Sequence, residues 1–439
     1  MTIDVSEYYP SGEAAAAAAA RTLTDQAAGM AGSRILGIAS QVRAMQAEGT
    51  EICNLTIGDF SPAQFTIPKA LGRAISERLA AGDTNYPPAD GTPELRRAIV
   101  AFYERELGVR FPVESVVVGS GARPPLYVTL ACLLDEGDTY VYGLPTWNNE
   151  YYAYLNRAKA VKIPTTPESG FHLTPALLAP HLSEARVVHL NSPLNPCGTC
   201  IDESALKGIC EAIVAENRRR EAGGRKALVL LYDMVYWMLT FGEAKHHHPI
   251  GLVPEVAPYV VYVDAISKNF AGTGLRVGWG IVPPYLQPKF KALLGHTGAW
   301  APRPVQSAAA WFLGQPEEVH DYIDAFKVEL QARLDLIYSN FERMKADGLP
   351  VEALQPQGAI YLSIRVNLIG RGKPGGGEFT TNEEIREYLL QEARIAVVPF
   401  RAFGLEGENG WLRMSVGAVG VDELGEALGR LEAAVRAVC

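Results

Sequence analysis

The chain has 439 residues, 48% of them hydrophobic and 20% charged, with six cysteines and a formal net charge of −9. That length and apolar content are ample for a large core spread over two or three units. The acidic balance argues against nucleic acid or an anionic membrane as the main partner, no apolar run is long enough to span a bilayer, and so few cysteines in so long a chain do not make a disulfide framework.

In chain order, the first segment, MTIDVSEYYPSGEAAAAAAART, lacks a basic start followed by an apolar core, so it does not read as a secretory leader. Its alanine run predicts a helical or flexible arm. From about Ser115 to Pro283, short apolar runs alternate with helical stretches. SVVVGS, DTYVYG, ARVVHLNSP, KALVLLYD, YVVYVDAIS and RVGWGIVP read as buried strands, with PPLYVTLACLLD and ESALKGICEAIVAENRRR as helices between them. Such alternation predicts an α/β fold whose large three-layer unit has a mainly parallel sheet.

Within this region Cys197 and Cys200 form a C-x-x-C without the second pair that a zinc site needs. His246–His248 point in different directions and run into Pro249, which reads as a solvated loop rather than a metal site. Beyond Pro302 the texture changes. A long helix from about Pro316 to Lys345 is followed by GAIYLSIRV, TNEEIREYLLQEA, IAVVP, WLRMSVG and a helix from Val421. This predicts a smaller α+β unit, with GRGKPGGGEF an exposed loop in it. The expected organisation is an arm over 1–35, a segment over 36–65 that belongs to the smaller unit, a large unit over 66–305, and the rest of the smaller unit over 306–439.

Sheets of this kind bind ligands at the carboxyl ends of their strands, and Asn195, Asp233 and Lys268 follow three predicted strands closely. A lysine there is partly desolvated, which lowers its pKa and makes it a usable amine nucleophile. An amine nucleophile suits Schiff-base chemistry with an aldehyde. Pyridoxal phosphate is the natural aldehyde cofactor, and it needs a lysine, an acid facing its ring nitrogen, an aromatic face and an anion site. Asp233 supplies the acid, Tyr236 and Asn195 donors for the phenolic oxygen, and Trp147 the aromatic face. Gly121, Ala122 and Arg123 open a helix whose N–H groups suit a phosphate, and Arg276 adds a guanidinium. Taken singly, each has an ordinary explanation: a helix cap for Asp233, core packing for Trp147, a turn for the Pro and Gly residues.

Taken together and in this order, the residues resemble the fold-type I pyridoxal-phosphate enzymes, specifically the class I and II aminotransferases, over nearly the whole chain from about Ile35. NSPLNPCGT, YDMVYW, SKNFAGTGLR and WLRMSV carry the resemblance. It implies that Lys268 forms the Schiff base and shuttles protons, Asp233 holds the ring nitrogen, and Arg413 and Gly58 receive the substrate carboxylate. Tyr86, in NYPPADGTPELRRAI, is then the residue that reaches the neighbouring subunit's phosphate, which implies a homodimer with shared active sites. Substrates would be an amino acid, with aspartate or glutamate favoured by Arg123, and a 2-oxo acid; the enzyme would be cytoplasmic. The alternatives are an aromatic amino acid aminotransferase or a carbon–sulfur lyase, the latter marked by ammonia and pyruvate release without an acceptor. A DNA-binding regulator of the same fold is disfavoured by the acidic charge and by the short segment ahead of the fold. The chain departs from the family at several points. Ala265 stands where many members have serine, leaving Ser267 as the candidate phosphate hydroxyl; Met234, Ser192, Cys197 and Phe400 also differ from the usual residues.

Overall fold

The computed structural model describes residues 2–32 and 34–439. Met1 and Ser33, both in the expected arm, lie outside the described residues. The strands are Cys53–Asn54 (β1), Val116–Gly119 (β2), Thr139–Leu144 (β3), Lys159–Pro164 (β4), Ala185–Asn191 (β5), Val229–Asp233 (β6), Val260–Ala265 (β7) and Gly278–Ile281 (β8). The later ones are Val351–Ala353 (β9), Tyr361–Val366 (β10), Ile395–Ala396 (β11), Val398–Pro399 (β12) and Trp411–Ser415 (β13).

A seven-stranded sheet runs in the order β2-β8-β7-β6-β5-β3-β4. The pairs β3·β4, β3·β5, β5·β6 and β6·β7 are parallel, whereas β8 runs antiparallel to both of its neighbours. Six strands therefore share one direction, and their carboxyl ends form a single edge. β2, β6, β7 and β8 are buried throughout, as strands covered on both faces must be. Helices on both sides bury the two faces in separate apolar clusters. β4 escapes the sequence reading because its pattern, KAVKIP, is half exposed on the sheet edge.

A second sheet, ordered β12-β13-β10-β9, is antiparallel throughout. The single strand expected in IAVVP is two short ones. β11 pairs in parallel with β1, and β12 pairs with β13. This ties the segment around Cys53 to the carboxyl-terminal part of the chain. The expected junction at 305/306 falls inside a helix, Arg303–Leu313, whose Ala308, Ala309 and Phe312 lie in the large core. The crossover between cores comes later, along the 31-residue helix Pro316–Ala346. Its Val319 and Ile323 pack in the large core, and its Leu330, Leu334 and Ile337 in the smaller one.

Local signals account for several helix boundaries. Thr92 caps Pro93–Leu107, which has proline at its first position and Gly108 in the left-handed region, φ 68°, at its end. Thr381 and Glu384 form a reciprocal capping box on Asn382–Glu392. The alanine-rich segment forms an exposed helix, Gly12–Thr22. The histidine run is not the solvated loop expected. His246 packs between the rings of Tyr232 and Trp237, and His248 accepts the Gly251 N–H to cap the short helix Pro249–Leu252.

Candidate active site

Five loops at the carboxyl edge of the large sheet, joined by β10 and β13 of the second sheet, enclose a cleft of about 610 Å³. β7 ends at Ala265, and the one-turn helix Ile266–Asn269 follows at once, so the strand end projects Lys268 over the edge. The Lys268 Nζ donates to the Gly58 carbonyl at 2.5 Å and lies 5.8 Å from the centre of the Phe60 ring. Burial lowers its pKa to about 8. Asp59 opposes that shift, and the guanidiniums of Arg413, Arg123 and Arg276 reinforce it. The amine is thus far more available near neutrality than a surface lysine's.

Asp233 is the last residue of β6. Its side chain accepts one backbone N–H, from Val235 at 3.2 Å, and burial pushes its pKa up to about 7. No cation forms an ion pair with it among the described residues. Such a carboxylate fits a ligand that brings its own N–H and positive charge. Tyr236, one turn further, shares a hydrogen bond of 2.8 Å with the Tyr361 hydroxyl from β10.

Asn195 follows β5, held by its N–H to the Asn191 side chain at 2.8 Å. Its Oδ1 accepts from Arg413 Nη1 at 3.2 Å, and Arg413 Nη2 donates to the Thr56 carbonyl at 2.6 Å. Arg413 is 2% exposed, its Nε has no partner, and the rings of Tyr361 and Phe403 lie 4.7 and 4.9 Å from its carbon. A buried guanidinium whose partners are amide oxygens retains its charge for an incoming carboxylate.

At the start of the helix Arg123–Leu133, Gly121 has φ +84°, and a Cβ there would lie 2.2 Å from Arg276 Nη2. Glycine thus lets Arg276 lie against the turn, where it donates to the Thr273 and Ser120 carbonyls at 2.6 and 2.8 Å. Gly121 and Arg276 therefore make one cationic, N–H-rich corner, suited to phosphate. The Arg123 guanidinium stacks 4.6 Å over the Trp147 ring. Ala122 and Ser267 line the same cleft.

The cleft thus collects Gly58, Trp147, Asn195, Asp233, Tyr236, Lys268, Arg276 and Arg413 from segments up to 355 residues apart, since Arg413 minus Gly58 is 355. Tyr86 is not among its lining residues; it is 81% exposed and packs edge-on against Trp300 at 5.1 Å. The sequence reading missed Asp59, Asn191, His189, Tyr152 and Tyr361, which all line the cleft. Two signals were available. His189 is a polar residue inside an apolar strand, two positions before Asn191 and so on the same face. Tyr361 lies against Gly198, where a Cβ would come 1.9 Å from its carbonyl oxygen. Cys197 is buried, and burial pushes the Cys200 thiol up to about 12. No cluster of histidine, cysteine and acidic side chains among the described residues is arranged to hold a metal.

A mainly parallel sheet whose carboxyl edge carries a lysine and an acid, in a cleft with three arginines that form no ion pair among the described residues, suits an enzyme that handles carbonyl compounds and carboxylates. The comparisons with known proteins narrow it. The family "Aminotransferase class I and II" matches residues 50–431. The aspartate aminotransferase of Rhizobium meliloti strain 1021 is 30% identical over 406 residues, covering 92% of this chain and 93% of the relative. The aspartate/prephenate aminotransferase of Cereibacter sphaeroides is 27% identical over 414 residues, 94% of this chain and 98% of the relative. A crystal structure of a Rhizobium meliloti aspartate aminotransferase superposes with TM-score 0.85 at 27% identity, covering 95% of this chain and all of that one. An aromatic aminotransferase from Pyrococcus horikoshii does so with TM-score 0.78 at 26% identity, covering 90% and 98%. The chain belongs to the class I and II aminotransferases, and it is a pyridoxal-phosphate-dependent transaminase.

Proposed function

We propose that this transaminase takes an acidic amino donor, aspartate or glutamate, passes its amino group to a 2-oxo acid, and holds pyridoxal phosphate in the cleft of Lys268. The observation that carries the reading is one cleft that unites a lysine amine lowered to about 8 with a buried carboxylate and a buried guanidinium that form no ion pair among the described residues. When bound, pyridoxal phosphate supplies an aldehyde for amines and an electron-accepting ring. The residues fit it. Lys268 provides the amine, Asp233 an acceptor for the ring N–H, Tyr236 and Asn195 donors for the phenolic oxygen, and Trp147 a face. The corner of Gly121, Ala122 and Arg276 would hold the phosphate, and Ser267 lines the same cleft.

The chain's own residues then act in sequence. Arg413 and Asn195 orient the substrate α-carboxylate, with Gly58 beside it, which sets the α-hydrogen toward Lys268. The Lys268 Nζ would remove that proton and return it on the way to the product, as general base and then general acid. Asp233, a buried carboxylate, would hold the ring nitrogen of the cofactor and favour its protonated form. Borohydride treatment after loading is expected to place one cofactor on Lys268; a label on another lysine, or none, rejects the assignment.

Substrate choice rests on Arg123. Its guanidinium lies at the cleft wall over Trp147, positioned for a second carboxylate. Arg123 is exposed where it lines the cleft, so a pair between it and a carboxylate is screened by solvent and worth about 1 kcal/mol, a factor of roughly five. Arg123→Ala is therefore expected to lower kcat/KM for aspartate by such a factor and to leave alanine much less affected. Equal losses for the two substrates would assign Arg123 to the cofactor and open the pocket to aromatic donors. The relatives named for aspartate favour the acidic reading. We also assign the enzyme to the cytoplasm as a homodimer that shares its active sites through Tyr86.

A further inference from the structure

Four residues before Lys268, β7 carries a second buried acid that the chemistry of the cleft leaves unused. Asp264 is 1% exposed, forms no ion pair among the described residues, and is not one of the residues that line the cleft. Strand alternation turns its side chain to the face of the sheet covered by the helix Pro93–Leu107. There its Oδ2 accepts from the Tyr103 hydroxyl of that helix at 2.8 Å and from the Trp237 Nε1 at 2.8 Å. Its Oδ1 accepts, at 2.7 Å, the N–H of Ala265, the residue that caps the one-turn helix of Lys268. Trp279, opposite Asp264 on β8, donates its Nε1–H to the Tyr103 oxygen at 2.6 Å.

The direction of these hydrogens decides why an acid stands here. An indole N–H only donates, and so does a backbone N–H. Tyr103 receives the Trp279 hydrogen and directs its own to Asp264. Three hydrogens thus converge on one side chain, which must accept all of them. A carboxylate does so with both oxygens. Burial raises the pKa of Asp264 to about 7 and the three hydrogen bonds oppose that shift, so the purely accepting form holds above neutrality. An asparagine would turn an NH2 group either toward Tyr103 and Trp237 or toward Ala265, donor against donor, and could satisfy one end only.

The segments that meet at this carboxylate are the two that carry the amine and the phenol of the cleft. Trp237 follows Tyr236, in a turn closed by its own N–H on the Met234 carbonyl at 2.9 Å. Ala265 precedes Lys268 by three residues. In the cleft, the Lys268 Nζ lies 6.0 Å from the centre of the Tyr236 ring. The amine donates to the Gly58 carbonyl, and the Tyr236 hydroxyl pairs with that of Tyr361, so no bond between the two side chains sets their spacing. We propose that Asp264 is a positioning residue for Lys268 and Tyr236: by holding Trp237 and Ala265 at one carboxylate, it fastens the turn of the phenol to the strand end of the amine and sets the depth of Lys268 in the cleft.

The value of this fastening rests on the proposed roles of Lys268 and Tyr236, but its test uses cofactor-free protein. Reductive methylation with formaldehyde and cyanoborohydride, followed by peptide mapping, reads the free-amine fraction of Lys268 against pH, with the surface lysines of the same digest as reference. The groups that face Lys268 are Asp59, Asp233, Tyr236, Tyr361 and the guanidiniums of Arg123, Arg276 and Arg413, and the substitutions leave all of them in place. Trp237→Phe keeps an aromatic ring and removes the N–H. It is expected to raise the Lys268 midpoint by about one pH unit, because an amine no longer held at depth regains water. Asp264→Asn is expected to raise it at least as far. Tyr103→Phe removes a hydrogen bond from the same carboxylate but leaves the tie between the two segments. It is expected to lower the melting temperature with the midpoint in place. An unmoved midpoint in folded Trp237→Phe or folded Asp264→Asn overturns the proposal. An equal shift in Tyr103→Phe also overturns it, since that is the signature of a core that has only loosened. If one of the first two variants does not fold, the other decides. In the loaded enzyme, Trp237→Phe is expected to lower kcat about tenfold with KM for the amino donor unchanged, since Arg413 and Asn195 are held by Thr56 and Asn191 rather than by Asp264. A borohydride label on a different lysine would reject the role of Lys268 and leave these midpoints as they are, so the two proposals fail separately.

Discussion

A carboxyl group at the end of a buried strand, with one backbone N–H as its partner, holds its proton up to about pH 7. The unfolded chain releases the same proton near pH 4. Between those values the folded protein binds more protons than the unfolded one, so this group's contribution to stability falls as pH rises from about 4 to 7. Above pH 7 the cofactor-free fold contains a buried anion that forms no ion pair among the described residues. Asp233→Asn removes that burden. Urea denaturation of the cofactor-free proteins is expected to find the variant more stable than wild type by about 2–4 kcal/mol at pH 8 and no different at pH 4. In the loaded enzyme the same change is expected to depress kcat by orders of magnitude if Asp233 holds the ring nitrogen as proposed. An unchanged stability difference between the two pH values would mean that Asp233 is ionised in the fold throughout. Lys268 has the opposite charge and the same cause, burial. Both groups are unstable in isolation and suited to a ligand, the signature of a functional pair.

At the scale of elements, the corner proposed for the phosphate depends on close backbone approach. Gly121 has a positive φ and lies against Arg276, and a Cβ on Gly278, at the start of β8, would come 2.4 Å from the Gly121 carbonyl carbon. Backbone cannot yield as a long side chain can. Gly121→Ala is therefore expected to displace the Arg276 guanidinium and weaken pyridoxal-phosphate binding at least tenfold, read by quenching of intrinsic fluorescence. Gly278→Ala is expected to cost about 1–3 kcal/mol of stability in addition, because two backbones must separate. If cofactor affinity is unchanged in folded Gly121→Ala, the corner is not the phosphate site. The sequence reading of elements succeeded where burial makes a pattern. All-apolar runs such as VVVG and VVYVDA read directly as strands of a covered parallel sheet. It failed at β4, whose edge position leaves lysines on the strand, and at IAVVP, where one apolar run serves two different sheets.

For the whole molecule, the telling residue is Tyr86. It is 81% exposed beside Trp300, on a surface rather than in its own chain's cleft. A large aromatic side chain in that position is accounted for if a second copy covers it, and two-fold pairing is the commonest arrangement. Sedimentation is expected to give a dimer at micromolar concentration. Tyr86→Phe is expected to weaken cofactor binding several-fold while leaving the dimer intact, since only the hydroxyl is lost. A fully active monomer would refute the shared site.

The sequence by itself determined the class of fold and most of the chemistry. A strand end followed by lysine, an aspartate three residues before a tyrosine, and an asparagine between prolines are local arrangements, set within a few residues of chain. The neighbours of those groups were decided only in three dimensions. Gly58 gives its carbonyl to Lys268 from 210 residues away, and Tyr361 meets Tyr236 across 125. His189 looks like a strand residue until the register of β5 and β6 puts it on Asp233's face. The physical reason is that covalent order fixes which groups a loop offers, whereas desolvation and hydrogen-bond satisfaction depend on which other segments close over them. The pKa values of Asp233 and Lys268, and the unpaired state of Arg413, belong to that second kind of information.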